Sequence, residues 1–380
     1  AHAVLKSVDT SAAEKVDGVF AVMTGKDLPH LADSWIDHGE GTENVAWSSE
    51  NIMATKKVLY KGHAVAAVAA KDRYVADYAA SKIKVEYEVL ESVTNVEDAT
   101  KEGAPILLED LVGDHIGKKV EKTNIASVTR HEFGDPDKAF QDAEHVVERT
   151  FTLQMVHQGY IEPHNATATW DEEGRVKVWT STQGAFPVRT STAAILDMDV
   201  SKVKVTPLEI GGGFGGKIPI YLEPVCATLS KKSGRPVKAV MERSNVFQAS
   251  GPAPGGTITV KMGTDKNGKL IAADTSIKLE AGGFPGAAVG AAVQCIFAPY
   301  EIANTRIDGY DIVVNKPKSA AYRAPGSPQA AFATETVVNE LADLHGMDPV
   351  DFRLLNASKE GTRRADGVVF PVIGNEEVLD

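Results

Sequence analysis

A glycine-rich stretch, EIGGGFGGKIPIY from Glu209 to Tyr221, constrains the fold most strongly, because it fits two loop patterns that belong to two different folds. Residues 211–217 fit the phosphate-loop pattern G-x-x-x-x-G-K, and residues 211–216 fit the dinucleotide-binding pattern G-x-G-x-x-G. A third interpretation is a turn whose glycines allow close backbone packing and bind no anion. The neighbouring residues help to distinguish the three.

The residues after the glycines argue against a nucleotide triphosphatase. A phosphate loop carries Ser or Thr directly after its lysine, because that hydroxyl binds Mg²⁺. Here Ile218 and Pro219 follow Lys217, and an isoleucine side chain has no atom that binds a metal ion. The triphosphatase interpretation is therefore disfavoured.

The segments on either side of the loop leave a dinucleotide-binding unit open. The patterns predict a strand at 202–210, a helix at 221–234 and a second strand at 236–244, with Glu242 as an acid that could bind a ribose. After Glu242, however, the pattern continues as hairpins and not as alternating strands and helices. A dinucleotide-binding dehydrogenase stays as an alternative.

Composition limits the class of partner. The chain has 380 residues, of which 43% are hydrophobic, so it can form domains with real cores. A formal charge of −12 argues against a nucleic-acid surface, which needs clustered Lys and Arg. Two cysteines, Cys226 and Cys295, cannot build a disulfide framework or an iron–sulfur site. Because we find no apolar run of membrane-spanning length, we predict a cytoplasmic protein with a small-molecule substrate and no nucleic-acid or membrane partner.

Residue patterns divide the chain into two α+β domains. Residues 1–107 alternate short strands with short helices, as in a small mixed domain. Residues 108–130 combine charge and glycine with few long apolar runs, which is typical of a linker. We therefore place a second domain at residues 131–380. Within it, turns at residues 172–174 and at Asn267-Gly268 predict two β-hairpins.

A second loop adds to the glycine-rich stretch. In AAYRAPGSPQAAF, Arg323 precedes a flexible turn, and Ser327 with Pro328 predicts the N-cap and first residue of a helix that ends near Gly346. A guanidinium group, free N–H groups and a helix dipole can together bind one anionic group. Gln183 ends an alternating strand where its amide could reach into a pocket, although a solvated strand end fits equally well. Two such loops favour a binding site over a packing turn.

Four motifs stand in a characteristic order along the chain. They are EPHNATATW at 162–170, TSTQG at 180–184, GGGFGGK at 211–217 and AYRAPGSPQAAFATE at 321–335. In this order and spacing they resemble the molybdenum-binding subunit of the xanthine dehydrogenase and aldehyde oxidoreductase family, the molybdenum hydroxylases. The resemblance covers essentially the whole chain. It implies an α/β hammerhead domain in residues 1–107, incomplete at its N-terminus, and the first molybdopterin-binding domain in residues 131–380.

The resemblance also implies a cofactor, a molybdenum ion held by a phosphate-bearing pyranopterin with or without a cytosine nucleotide. Gln183 would donate a hydrogen bond to an oxo ligand of molybdenum. Gly213, Phe214 and Gly215 would bring backbone against the ligands of the metal, and Arg323 would position the cofactor. Glycine suits this role because a side chain would block the approach. No protein side chain would bind the metal directly.

The reaction implied by the resemblance is hydroxylation of a carbon atom with oxygen derived from water. Electrons would pass to [2Fe-2S] clusters and FAD, which we expect on an iron–sulfur subunit and an FAD subunit. The family's glutamate base belongs to a second molybdopterin-binding chain or domain, so this chain would be a split subunit or a fragment. No catalytic residue is assigned here, and Glu162, Glu209 and Glu335 are not candidates for the base.

Three positions differ from the xanthine-oxidising members of the family and bear on the substrate pocket. Ile218 stands where they carry a glutamate, Pro325 where they carry an aromatic ring, and Ala291 where they carry a substrate-binding arginine. A purine would lose its polar partners there, which disfavours xanthine. The segment YRAPGSPQ contains no cysteine, which disfavours carbon monoxide. An aldehyde or an aromatic or N-heterocyclic compound remains.

Two alternatives to a molybdenum enzyme stay open at this point. An accessory or assembly homologue could keep the fold without binding the cofactor, and a dehydrogenase could bind a dinucleotide at the glycine-rich stretch. His157, Glu162 and His164 could also be drawn as a zinc site, but their spacing on strands would scatter them.

Overall fold

The computed structural model describes residues 1–31, 33–37 and 42–380, and it contains two compact units. The first unit is formed by Ala1–Ser92, His157–Pro252 and Asn315–Arg323. The second unit is formed by Val93–Val156, Ala253–Val314 and Ala324–Asp380. Each unit is therefore assembled from separate segments of the chain.

The N-terminal segment of the first unit is built of short strands and helices. Its described strands are Ala3–Asp9, Val19–Thr24, Trp35–Asp37, Thr42–Asn44, Lys57–Val58, Ala66–Ala70 and Lys84–Val89. Its described helices are Ser11–Glu14, Val45–Ile52 and Arg73–Ala80, with a 3-10 turn at Gly25–Asp27. Ala3–Asp9 is the central strand of a three-stranded antiparallel sheet, and Val19–Thr24 pairs with Ala66–Ala70.

A four-stranded sheet in the same unit positions the site. Its strands lie in the order Val203–Pro207, Val176–Thr180, Asn165–Trp170 and Val237–Val240. The two central strands form the hairpin predicted at residues 172–174, where Gly174 has a φ of +76°. Successive side chains of a strand point to opposite faces of the sheet. Every second side chain of these two central strands is therefore buried, in one core with helix Glu223–Ser233. The other helices of this part are Ala185–Ile195 and Arg243–Ala249, with a 3-10 turn at Val200–Lys202.

The second unit contains a seven-stranded mixed sheet. Its strands lie in the order His145–Leu153, Gly256–Thr264, Leu270–Gly282, Asn304–Val313, Ile125–Phe133, Val112–His115 and Lys118–Glu121. Its described helices are Val96–Ala99, Pro136–Gln141, Val289–Cys295, Ser327–Leu344, Pro349–Asn356 and Asn375–Leu379. Helix Ser327–Leu344 packs on the sheet and buries Val337 and Leu341 in one core with Val260 and Ile277. The hairpin predicted at Asn267-Gly268 is present.

The segment expected to be a linker, residues 108–130, carries strands of this sheet. Val112–His115 and Lys118–Glu121 pair with each other, and Val112–His115 also pairs with Ile125–Phe133. Such short strands are held extended by their partners more than by their own sequence. The boundaries of the family domains at residues 107 and 131 stay a prediction.

The long helix begins one residue away from the predicted position. Gly326, with a φ of +79°, is the N-cap, so Ser327 and Pro328 occupy the first turn. A Cβ atom on Gly326 would lie 2.6 Å from the carbonyl oxygen of Ala288. The close approach to the neighbouring helix therefore selects glycine at the cap.

Strands and helices are mixed in both units, so the predicted α+β class is confirmed. Within the described ranges, no helix combines the length and the apolar composition needed to cross a membrane.

Candidate functional site

Gln183 follows strand Val176–Thr180 and is held by the glycine loop, Gly211–Lys217. Its Oε1 accepts hydrogen bonds from the N–H groups of Gly215 at 2.8 Å and Lys217 at 3.3 Å. Because two donors face this oxygen, the amide nitrogen Nε2 occupies the other side of the carboxamide. The side chain is exposed, and Nε2 donates no hydrogen bond within the part of the chain that the structure describes. The loop thus fixes a free amide donor beside itself.

The glycine loop is packed too closely for side chains at two of its positions. A Cβ atom on Gly213 would lie 2.4 Å from Oε1 of Gln183, and one on Gly215 would lie 2.6 Å from the carbonyl oxygen of Ala321. Phe214, between them, has a φ of +52° and a side chain that is 47% exposed. Among the described residues, the N–H groups of Gly213 and Phe214 donate no hydrogen bond. Neither N–H group therefore has a partner among the described residues.

Arg323 meets the glycine loop through the backbone. Its N–H donates to the carbonyl oxygen of Phe214 at 2.9 Å, and both residues belong to the first unit. The Arg323 side chain is exposed, and its guanidinium group forms no ion pair or hydrogen bond with the residues described. The structure therefore brings Gln183, the glycine loop and Arg323 together, while their roles toward a cofactor stay a prediction.

Lys217 does not point out of the loop as a phosphate-binding lysine would. Its side chain is 0% exposed, and Nζ donates to Glu162 at 2.7 Å and to Ser181 at 2.8 Å. Burial alone would raise the pKa of Glu162, but hydrogen bonds from Lys217, Gly211 and Ser181 lower it to about 2. Glu162 is thus ionised at neutral pH and engaged by Lys217. This geometry argues against a phosphate loop and against Glu162 as a base.

His157 and His164 lie in a hydrogen-bonded cluster with Tyr160 and Ser250. The Tyr160 hydroxyl lies 2.6 Å from Nε2 of His164 and 3.1 Å from Oγ of Ser250, which lies 2.9 Å from Nε2 of His157. Burial lowers the pKa of His157 to about 4 and, together with the Lys217 cation, that of His164 to about 3. Both imidazoles are neutral at pH 7. Among the described residues, no group of three His, Cys, Asp or Glu could hold a metal ion, so the zinc interpretation gains no support.

Gln158 supports the site, although the sequence patterns did not single it out. Its Nε2 donates to the carbonyl oxygens of Gly251 at 3.0 Å and Ala321 at 2.7 Å, and the side chain is buried. It also packs against Gly216 of the loop. Gln158 thereby joins the segment before Arg323 to the glycine loop. Its position just before the EPHNATATW motif is the one signal that could have found it.

The three residues predicted for the substrate pocket fall in different parts of the chain. Ile218 follows the glycine loop in the first unit, and its side chain is 41% exposed. Ala291 and Pro325 belong to the second unit and are partly exposed. Ala291 lies in helix Val289–Cys295, and the turn after Pro325 packs at the start of this helix through Gly326. Their role in a pocket stays a prediction.

The sheet topology argues against the dinucleotide-binding alternative. Strands Val203–Pro207 and Val237–Val240 would be neighbours in such a unit, but they lie at opposite edges of the four-stranded sheet. The helix between them begins at Glu223, beyond the glycine loop, so the loop does not lead directly into its N-terminus. Glu242, the predicted ribose-binding acid, pairs with Arg73.

Comparison with known proteins identifies the class. Residues 117–357 match the family model of the molybdopterin cofactor-binding domain, and residues 1–91 match the a/b hammerhead domain of aldehyde oxidase and xanthine dehydrogenase. The chain therefore belongs to the molybdopterin-binding large subunits of the aldehyde oxidase and xanthine dehydrogenase family. The family predicted from the four motifs is confirmed.

Three similar proteins show how far the sequence and the fold of this chain resemble those of known family members. The chain is 33% identical over 372 residues to the nicotinate dehydrogenase large molybdopterin subunit of Eubacterium barkeri, an alignment that covers 97% of this chain and 82% of that one. The aldehyde oxidoreductase of Desulfovibrio gigas matches with a TM-score of 0.87 at 26% identity, over 100% of this chain and 41% of that one. The CO dehydrogenase of Oligotropha carboxidovorans matches with a TM-score of 0.87 at 28% identity, over 100% and 49%. The chain thus spans less than half of either solved chain.

Proposed function

We propose that this chain is the molybdenum-cofactor-binding part of a hydroxylase that oxidises an N-heterocyclic aromatic carbon with oxygen derived from water. The likeness to a nicotinate dehydrogenase subunit favours this substrate class, because nicotinate is an N-heterocyclic acid. An aldehyde is the second candidate, since the fold also matches an aldehyde oxidoreductase. The apolar residues Ile218, Ala291 and Pro325 favour either compound over a purine.

The observation that carries the proposal is the orientation of the Gln183 carboxamide. Its Oε1 is occupied by two N–H groups of the glycine loop, so its Nε2 is held as a donor. The N–H groups of Gly213 and Phe214 are further donors on the loop, and Arg323, whose backbone bonds to Phe214, carries an exposed guanidinium group. A set of such donors fits a cofactor rich in oxygen atoms and negative charge.

The residues of the site have distinct roles in this proposal. When bound, the molybdenum–pterin cofactor supplies the oxygen-transfer and electron-accepting chemistry. Gln183 would donate from Nε2 to an acceptor atom of the cofactor. The N–H groups of Gly213 and Phe214 would hold the cofactor against the loop. Arg323 would offset part of the negative charge of the cofactor. Gly215 lets the loop and the Arg323 segment approach each other closely enough for these donors to converge.

The proposal includes partners. A second molybdopterin-binding chain or domain would supply the glutamate base, and iron–sulfur and FAD subunits would carry the electrons away in the cytoplasm. The description of the Eubacterium barkeri relative as a large molybdopterin subunit supports an enzyme divided among chains.

Two substitutions at Gln183 test the assignment in the intact complex, with nicotinate and benzaldehyde as probe substrates. Gln183→Glu keeps an acceptor for both loop N–H groups but removes the Nε2 donor, whereas Gln183→Ala removes both. We expect Gln183→Glu to lower turnover roughly 100-fold, the effect of losing one preorganised donor, with a thermal midpoint near that of the wild type. Gln183→Ala should lower turnover at least as far.

Two outcomes would count against this assignment. Wild-type turnover in both Gln183→Glu and Gln183→Ala would contradict the site. A wild-type complex that binds no cofactor and oxidises neither probe would favour the accessory homologue.

A further inference from the structure

The carboxylate of Glu162 contacts both ends of the glycine loop. Its Oε2 accepts a hydrogen bond from the N–H of Gly211 at 2.7 Å and another from Nζ of Lys217 at 2.7 Å. The N–H of Glu162 also donates to the carbonyl oxygen of Gly211 at 3.1 Å. One residue therefore ties the first and the last residue of the loop together.

This contact is largely buried and well satisfied. The Lys217 side chain is 0% exposed and that of Glu162 is 29% exposed. Oγ of Ser181 lies 2.8 Å from both Oε2 of Glu162 and Nζ of Lys217, and Oε1 of Glu162 accepts from Asn165 at 3.0 Å. A buried lysine needs a partner of opposite charge, so this pairing fixes where the loop ends.

Lys217 in turn holds Gln183 through its backbone. Its N–H donates to Oε1 of Gln183 at 3.3 Å. Its carbonyl oxygen accepts hydrogen bonds from the N–H of Gln183 at 3.0 Å and from Oγ1 of Thr182 at 3.1 Å. A displacement of Lys217 therefore moves the Gln183 carboxamide.

We propose that Glu162 and Lys217 are positioning residues that close the glycine loop and thereby aim the amide nitrogen of Gln183. They act through the loop backbone and Gln183. The hydrogen bonds of Glu162 to Gly211 and Lys217 support the closure of the loop directly. The effect of this closure on cofactor binding rests on the proposed function.

The rival role is an ordinary buried ion pair that only stabilises the fold. The double variant Glu162→Leu with Lys217→Met separates the two roles. Replacing both charges by apolar side chains of similar size leaves no unpaired buried charge, and such replacements often keep a fold stable. They do not restore the hydrogen bond to the N–H of Gly211.

The test uses the native complex purified through this chain. The variants are Glu162→Leu, Lys217→Met, the double variant and, as a matched control, Glu209→Gln. Glu209 is exposed, lies just before the loop and makes no hydrogen bond within the described residues. Hydrogen exchange of the peptide spanning residues 209–221, the thermal midpoint, and molybdenum and pterin per chain are measured for each.

We expect the double variant to melt near the wild type, to exchange its loop amides about tenfold faster, and to retain about a tenth of the molybdenum and pterin. The single variants should show the same losses with a lower thermal midpoint, and the Glu209→Gln control should match the wild type throughout.

Two results would overturn the proposal: wild-type exchange and cofactor content in the double variant, or a double variant that does not fold. In the second case the pair would serve the stability of the fold. A wild-type complex without molybdenum and pterin would refute the proposed function instead, and the exchange rates would still decide whether the pair closes the loop.

Discussion

Gly215 is the residue of the glycine loop at which one added carbon atom would change the local structure most. Its φ is +100°, and a Cβ atom would lie 2.6 Å from the carbonyl oxygen of Ala321. That oxygen also accepts a hydrogen bond from Gln158 at 2.7 Å, so it cannot move aside without breaking this bond. Gly215 therefore determines how closely the segment before Arg323 approaches the loop.

Gly215→Ala should lower the free energy of unfolding by about 3 kcal/mol, the sum of left-handed strain and a backbone clash. Gly174→Ala is the matched control, because Gly174 has a φ of +76° and no described atom within 4 Å of the added Cβ. It should cost about 1 kcal/mol from strain alone. Urea unfolding followed by circular dichroism measures both losses, and equal losses would contradict the close approach.

Some candidate site residues can be named from residue type and position alone. Gln183 ends a patterned strand and Arg323 precedes a capped helix, so both were predicted, and the structure places them beside the same loop. Gln158 could not be found in this way, because its partners Gly251 and Ala321 lie 93 and 163 residues away. Hydrogen bonds over such separations depend on the folded backbone, which local patterns do not describe.

At the scale of elements, helix Glu223–Ser233 docks on the four-stranded sheet through a buried carboxyl group. Glu223 is 6% exposed, and its Oε1 lies 2.6 Å from Oγ1 of Thr180, which lies 3.0 Å from the carbonyl oxygen of Asn165. A hydroxyl group has one proton to donate, so Thr180 bonds only one of these two oxygens at a time, and the N–H of Tyr221 donates to Oε2 of Glu223 at 3.0 Å. Burial raises the pKa of Glu223, which favours the protonated form of its carboxyl group.

Stability should therefore depend on pH through Glu223. A carboxyl group whose pKa rises on folding stabilises the fold fully below its unfolded pKa, here 4.5, and this contribution is lost as pH rises through the folded pKa. Glu223→Gln resembles the protonated form and cannot ionise. The variant should gain stability relative to the wild type as pH rises from the unfolded pKa of Glu223 to neutrality, as measured by urea midpoints. A difference that stays constant over this range would show that Glu223 does not titrate as proposed.

Elements with short-range signals were predicted correctly, and elements that depend on distant partners were not. The hairpins at residues 172–174 and Asn267-Gly268 form because glycine supplies the positive φ that their turns require. The strands and helix around the glycine loop also exist as predicted. Their order in the sheet differs from a dinucleotide-binding unit, because the hairpin of Asn165–Trp170 and Val176–Thr180 lies between the two strands.

At the scale of the whole molecule, the chain passes from one unit to the other several times. Gln183 and Arg323 lie in different segments of the first unit, His157–Pro252 and Asn315–Arg323. Local patterns do not predict such a division, because it depends on which segments pack together in space. The four motifs did predict the family, since they sample both segments and their order is characteristic of it.

We propose that this chain holds a molybdenum–pterin cofactor at the glycine loop. The most direct measurement is the molybdenum and pterin content of the native complex purified through this chain, by elemental mass spectrometry and oxidised-pterin fluorescence, with co-purifying subunits identified. We predict near-stoichiometric molybdenum and pterin together with an iron–sulfur subunit. The absence of both molybdenum and pterin from an intact native complex would contradict the account.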